Sequence, residues 1–162
     1  MLYFIKCLQK VKLQFAVIKL QKIGAELKFR PKFTHGISDL KRSKNAEELT
    51  NTYLANISTF GKYLGSFFLQ FSDILGFQEF FFLQKYLEEL LANFDVFVEL
   101  RHVDWYADDA ARKEVFELFR KLNMGAVITD TTGRQDIKMA SAKAYEKTLP
   151  LPKFTLVYLF TK

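Results

Sequence analysis

Cysteine and proline are scarce in this chain of 162 residues, which contains one cysteine and three prolines. The single cysteine, Cys7, excludes a disulfide within the chain, and a reducing compartment fits this composition. We therefore expect a cytoplasmic location. Low-complexity tracts and internal repeats are also lacking, and 49% of the residues are hydrophobic, as in a globular protein. This length predicts a single domain over residues 1–162.

Long apolar runs are lacking as well. Five lysines interrupt the hydrophobic residues of the segment 1–24, and no small-residue cleavage pattern follows a clean apolar stretch. These features argue against a transmembrane segment and against a secretory signal. A basic amphipathic helix at a membrane surface is one alternative for this segment. A helix packed on a sheet is the more common outcome.

Motifs for several common chemistries are absent. The sequence contains no G-x-G-x-x-G, no P-loop, no G-x-S-x-G and no C-x-x-C. Nucleotide binding by those routes and serine-type hydrolysis therefore lose support. Asp, Glu and His occur near strand ends without a metal-ligand spacing, so we predict no metal site. The sequence does not identify a cofactor.

The excess positive charge is confined to the beginning of the chain. Residues 1–30 contain seven Lys or Arg and one Glu, so 7 − 1 = +6 accounts for the whole net charge. A basic segment raises the question of nucleic-acid binding, but the remaining residues show no basic stripe. Weak nucleic-acid binding through this segment is thus an alternative. A lysine-rich face exposed to solvent is the favoured interpretation.

Strand-like and helix-like segments alternate along the chain, which predicts an α/β fold with parallel strands. Asn45 and Glu48 resemble a capping box at the start of the first clear helix. Another helix begins at Asp108 or Asp109 and ends near residue 123. The other predicted elements are strands at 26–31, 66–71, 95–102, 126–130 and 154–160, and helices at 45–65 and 77–92.

Polar residues stand where the predicted strands end. In a parallel sheet these ends meet at one edge, where functional groups gather. We therefore predict a site for a small polar or anionic substrate. Candidate catalytic residues are Glu99 or Asp130 as the base, and His102 as an acid or base. Candidate substrate-binding residues are Lys32, Gln70, Arg101 and Trp105.

Structural roles compete with these interpretations. Glu99 and Arg101 would equally well neutralise each other as a buried ion pair. For His102 a structural role is favoured, and Trp105 fits a packing residue or pocket wall better than a stacking platform. Asp130 would also suit a turn or a cap before "TTGR". Its place at a strand end favours the site.

Four segments together resemble a known family. "FRPKF" with "HGIS", then "LGSFFLQFSD", "VELRHVDWY" and "VITDTTGRQD" are similar, in order and spacing, to the YecE-like family, the domain of unknown function 72. The resemblance covers about residues 15–136. It implies a TIM-like (β/α) barrel, and it places all seven candidate residues around the barrel mouth. It implies no particular reaction.

Departures from the family pattern shape the expected architecture. The family shows a histidine where this chain reads Ile37-Ser38-Asp39, and His35 is not in register with it. Residues 1–14 and 137–162 do not match the family's other strands. We therefore expect a partial barrel, a truncated or frameshifted copy whose open edges favour self-association.

Two functions follow from this architecture. The chain is either an enzyme, or the remnant of one, that acts on a small polar or anionic molecule. Alternatively, it is a non-catalytic fragment without independent activity.

Overall fold

A parallel sheet of four strands forms the centre of the fold. The computed structural model describes residues 28–39, 44–91, 93–130 and 155–159. The strands lie side by side in chain order, and each neighbouring pair is parallel. They are β1 (Phe67–Gln70), β2 (Val96–Glu99), β3 (Gly125–Asp130) and β4 (Thr155–Leu159). The α/β fold with parallel strands is thereby confirmed.

An extended segment before β1 continues the sheet by two isolated bridges. Phe29 pairs with Leu64 and Lys32 pairs with Phe68, both in parallel. Phe29 and Phe33 are buried, which is the alternation that predicted a strand here. Pairing at two points is weaker than a full ladder, so the segment is a partial strand at the edge of β1.

One face of the sheet is fully buried. Leu69, Val96 and Val98 share this face, because Leu69 is the register partner of Val98 and Val96 is two residues before Val98. Helical segments connect the strands in the described parts of the chain. In order they are α1 (His35–Ser38), α2 (Ala46–Ile57), a 3-10 segment (Ser58–Tyr63), a 3-10 turn (Phe77–Glu79), α3 (Phe80–Tyr86), a π-helical turn (Leu87–Leu91), a 3-10 turn (Val103–Tyr106) and α4 (Asp109–Lys121).

Two predicted helix starts have different outcomes. Asp108 caps α4, because its carboxylate accepts a hydrogen bond of 2.7 Å from the Ala111 N–H. The capping box predicted for Asn45 and Glu48 is wrong, since the Asn45 side chain makes no capping hydrogen bond. Asn45 has φ −118° and ψ 26°, which is not the extended conformation that directs a cap side chain onto the first turn.

The predicted end of β2 also needs correction. Periodicity carried this strand to His102, but it ends at Glu99. His102 instead begins the next 3-10 turn, because its imidazole accepts a hydrogen bond from the Asp104 N–H. Arg101 and His102 therefore belong to the connection after β2.

Aromatic side chains fill much of the core. The rings of Phe33 and Tyr53 lie 4.8 Å apart, and those of Phe33 and Phe67 lie 5.6 Å apart. Phe81 and Phe82 are exceptions on α3, with exposed fractions of 81% and 46%. Among the residues described above, no helix is both long and apolar enough to cross a bilayer. The basic segment 1–27 lies outside the described residues.

Candidate functional site

A row of hydrogen bonds joins three predicted site residues at the carboxyl edge of the sheet. Lys32 Nζ donates to Gln70 Oε1 over 2.9 Å, and Gln70 Nε2 donates to Glu99 Oε2 over 2.5 Å. Gln70 and Glu99 are register partners on neighbouring strands, so both side chains project from the same face of the sheet. The strand-end rule thus selected residues that lie in contact.

The Gln70 amide has only one orientation that satisfies both neighbours. An ammonium group can only donate and an ionised carboxylate can only accept. The amide oxygen must therefore face Lys32, and the amide nitrogen must face Glu99. Through Gln70, the buried carboxylate of Glu99 thus restricts the position of the Lys32 side chain.

Glu99 is the buried end of the row. Only 1% of it is exposed, which leaves little of it for a diffusing molecule to touch. The buried Tyr106 lies near it, and burial together with the Glu99 carboxylate raises the pKa of the Tyr106 phenol above its ordinary value. Tyr106 therefore keeps its proton at neutral pH.

A cavity of about 640 Å³ opens in front of the row. It lies between the connection that follows Lys32 and the connection that follows β1, and Arg101 reaches it from beyond β2. Lys32, Gln70 and Arg101 are therefore predicted residues that line one cavity. The other lining residues are Phe33, Thr34, His35, Ser38, Asp39, Phe71, Ser72, Asp73 and Ile74.

The polar lining combines both charges with hydroxyl groups. Lys32 and Arg101 are cationic, whereas Asp39 and Asp73 are acidic. The ammonium group of Lys32 also lies 5.1 Å from the centre of the Phe68 ring, a favourable placement for a cation.

Five polar lining residues were not predicted from the sequence. Thr34, Ser38, Asp39, Ser72 and Asp73 lie in short connections or in the four-residue α1, where no periodicity marks them. Their one available signal was position, since each follows directly on a predicted strand or its turn. His35 had been noted, although out of register with the family histidine, and it does line the cavity.

His102 lies outside this lining and performs a structural task. Its Nδ1 accepts the Asp104 N–H over 3.2 Å and is 3.4 Å from Asp104 Oδ2. Because Nδ1 accepts here, a neutral ring carries its proton on Nε2. A methyl group on Gly76 would come within 3.3 Å of the imidazole, so the turn after β1 packs closely against this ring.

Trp105 links the turn after β2, to which it belongs, with the turn after β1. It is fully buried, and its indole N–H donates to the Leu75 carbonyl over 2.5 Å. Its ring lies 5.5 Å from that of Phe77 in an edge-to-face arrangement. Trp105 does not line the cavity but holds the turn that does.

Comparison with known proteins decides the family. The family model described as "Protein of unknown function DUF72" matches residues 20–157. The chain belongs to the DUF72 family. This confirms the resemblance drawn from the four motifs. No curated protein matches the chain.

Two solved DUF72 structures share the fold. A DUF72 family protein from Enterococcus faecalis is 24% identical, with a TM-score of 0.57, and the match covers 72% of this chain and 49% of that one. Another from Thermotoga maritima is 17% identical, with a TM-score of 0.58, and covers 80% and 48%. The present chain therefore spans about half the length of these relatives.

The remaining predicted site residue of this DUF72 chain is Asp130. Its backbone ends β3 in register with Leu159 of β4, at the same edge as Gln70 and Glu99. Its side chain lies outside the described part of the structure. Within residues 28–39, 44–91 and 93–127, no three His, Cys, Asp or Glu side chains are grouped closely enough to hold a metal ion.

Proposed function

We propose that the cavity beyond the carboxyl ends of the strands binds a small anionic molecule. The observation that carries this proposal is the convergence of Lys32 and Arg101 on one cavity. Lys32 belongs to the partial strand before β1 and Arg101 to the connection after β2, so the fold brings the two cations to one cavity. Two converging cations in a partly enclosed space favour carboxylate or phosphate groups.

The row behind the cavity supports the same proposal. Hydrogen bonds from Lys32 to Gln70 and from Gln70 to Glu99 restrict the lysine before a ligand arrives. A restricted side chain loses less conformational entropy when it binds, so its contribution to affinity rises. The cavity volume of about 640 Å³ falls within the range of roughly 300–1,000 Å³ that is usual for small-molecule sites.

Catalysis at this site is the narrower form of the proposal. Asp130 and His102 belong to the same edge of the sheet, and Glu99 lies one hydrogen bond behind the cavity. For Glu99 to act as a base, Gln70 would have to move or relay the proton. We therefore assign Glu99 to positioning in the first instance, and we retain His102 and Asp130 as candidates for proton transfer.

We also propose that the sheet is part of a TIM-like (β/α) barrel. Its four parallel strands, and the partial strand before them, follow one another in chain order. A doubly wound sheet would reverse its strand order at a switch point. The described strands contain no reversal, which supports a barrel.

Titration with inorganic phosphate tests the anion site. We expect calorimetry to detect binding by the wild-type chain and a loss of about tenfold or more in affinity for Lys32→Met and for Arg101→Met. Lys85→Met is the matched control, because Lys85 is an exposed lysine on α3 paired with Glu89. Equal phosphate affinity in all four proteins would refute the site.

A further inference from the structure

We infer that the anionic ligand carries several hydroxyl groups on its carbon chain, as a sugar phosphate or a sugar acid does. This inference rests on the proposed anion site and specifies the other half of its ligand. It follows from the groups that line the cavity away from Lys32 and Arg101. Nothing in it depends on the reaction that the site performs.

The acidic lining residues restrict the charge of the ligand. Asp39 and Asp73 line the same cavity as Lys32 and Arg101, so two carboxylates accompany two cations. A ligand with negative charge spread along its whole length would meet repulsion at the carboxylates. A ligand with one anionic end and neutral hydroxyl groups elsewhere meets none, because a carboxylate accepts hydrogen bonds from hydroxyl groups.

Three hydroxyl side chains extend this pattern. Thr34, Ser38 and Ser72 line the cavity beside the two carboxylates. A hydroxyl group can donate and accept at once, so each of these side chains can pair with a hydroxyl group in either direction. A lining of carboxylates and hydroxyls is the complement of a polyhydroxylated chain.

Ser72 provides the sharpest single indication. Its Oγ is buried, and it has no hydrogen-bond partner within the described part of the chain. Most buried polar atoms in proteins have a partner, so each exception requires an explanation. Ser72 lies on the cavity wall, so a rotation about its Cα–Cβ bond would turn the hydroxyl towards a ligand, whose own hydroxyl group would supply the missing partner.

The size of the cavity agrees with a ligand longer than a simple anion. Inorganic phosphate held between Lys32 and Arg101 would leave most of the roughly 640 Å³ to water. Small-molecule pockets usually bury most of the surface of their ligand, which a lone phosphate in so large a space would not achieve. A chain of several hydroxylated carbons attached to the anionic group accounts for the remaining space.

Calorimetry on the full chain with five probes tests the inference. The probes are inorganic phosphate, glucose 6-phosphate, glucuronate, glucose and serine. We expect glucose 6-phosphate or glucuronate to bind about tenfold or more tightly than phosphate, and glucose alone to bind weakly. Whichever of the two binds more tightly identifies the anionic group as phosphate or carboxylate.

Variants then locate the part of the cavity that binds the hydroxyl groups of the ligand. Asp73→Asn and Ser72→Ala should each lower the ratio of sugar-ligand affinity to phosphate affinity by several-fold, about fivefold. Asp95→Asn is the control, since Asp95 lies in a different hollow at the amino ends of the strands.

The possible failures are distinct. Phosphate binding as tight as that of both sugar ligands would overturn the inference and leave the anion site standing. Tighter binding of serine than of either sugar ligand would overturn it in favour of a zwitterion. If none of the anions binds, the proposed function fails as well.

Discussion

Gln70 uses both ends of its side-chain amide, and the position of Lys32 depends on it. We predict that Gln70→Leu lowers the free energy of unfolding by about 1.5–3 kcal/mol, the usual contribution of a hydrogen bond to a charged group. The loss arises because Glu99, which is buried, gives up its bond from Gln70. Urea denaturation measures the change.

Gln84→Leu is the matched control for that variant. Gln84 also donates from its amide to a carboxylate, that of Glu88 one helical turn away, over 3.0 Å. Such pairs along a helix contribute only about 0.2–0.5 kcal/mol. Equal losses in the two variants would contradict the account of Gln70 as a link to a buried charge.

Tyr86 gives a prediction about alkaline pH. Burial raises the pKa of its phenol from 10.0 to about 12, against a smaller opposing effect of the hydrogen bond with Thr50. The folded state therefore holds this proton more tightly than the unfolded state does. Its contribution to stability is complete below pH 10 and is lost as the pH rises from 10 to 12.

Urea denaturation between pH 9 and pH 12 tests this sign. The wild-type chain should lose about 2–3 kcal/mol more over this range than Tyr86→Phe, because the variant lacks the titrating group. Tyr106 titrates abnormally in both proteins, so it cancels from the comparison. Parallel losses in the two proteins would show that Tyr86 titrates normally.

At the scale of single residues, the sequence predicted which polar residues come together, but not how deeply each of them is buried. The strand-end rule selected Lys32, Gln70 and Glu99, and these residues are in contact. The rule could not show that Glu99 is buried behind Gln70, because the exposure of a strand-end residue depends on the side chains that pack around it. Trp105 followed the structural alternative, because packing against Phe77 and the Leu75 carbonyl decides its place.

Among the elements, the turn after β1 and the turn after β2 act together. A methyl group on Gly76 would crowd the His102 ring, and the Trp105 indole donates a hydrogen bond to the Leu75 carbonyl. We predict that Gly76→Ala displaces His102, because a methyl carbon would lie 3.3 Å from its Cε1 and Nδ1. In NMR spectra the His102 ring signals should shift, and the melting temperature should fall by a few degrees, about 2–4 °C per kcal/mol lost.

Gly36→Ala is the control for the turn. A methyl group there meets only the end of the Leu49 side chain, at an ordinary 3.5 Å. It should leave the His102 signals in place. Unchanged His102 signals in Gly76→Ala would contradict the prediction, because they would show that the turn accommodates a methyl group without moving the ring.

Element boundaries followed from the sequence where a side chain and the backbone agreed. Asp108 is a good cap and does cap α4, and the apolar run of β1 is a strand. Prediction failed where local geometry overrode a residue pattern. The backbone angles of Asn45 prevent its cap, and the His102 side chain ends the extended run after β2.

For the whole molecule, the order of the strands links the fold to the site. Parallel strands in chain order bring each carboxyl end to one edge, and for that reason residues as distant as Lys32 and Arg101 share a cavity. The alternation of strand-like and helix-like segments along the sequence was enough to predict that the strands are parallel. The cavity lining in the connections was not predictable, because loops carry no period. Self-association stays a prediction, with the exposed Phe81 and Phe82 as the side chains to examine first.

An NMR titration of the labelled chain with glucose 6-phosphate shows directly whether the cavity at the carboxyl edge is the binding site. We expect backbone amide signals to shift in residues 32–39, at Ser72 and Asp73, and at Arg101, around this cavity. Signals of Ser66, Asn93 and Asp95, which line a hollow at the opposite edge, should stay in place. Shifts confined to that opposite edge, or no shifts at millimolar ligand, would show that the ligand does not bind in the cavity.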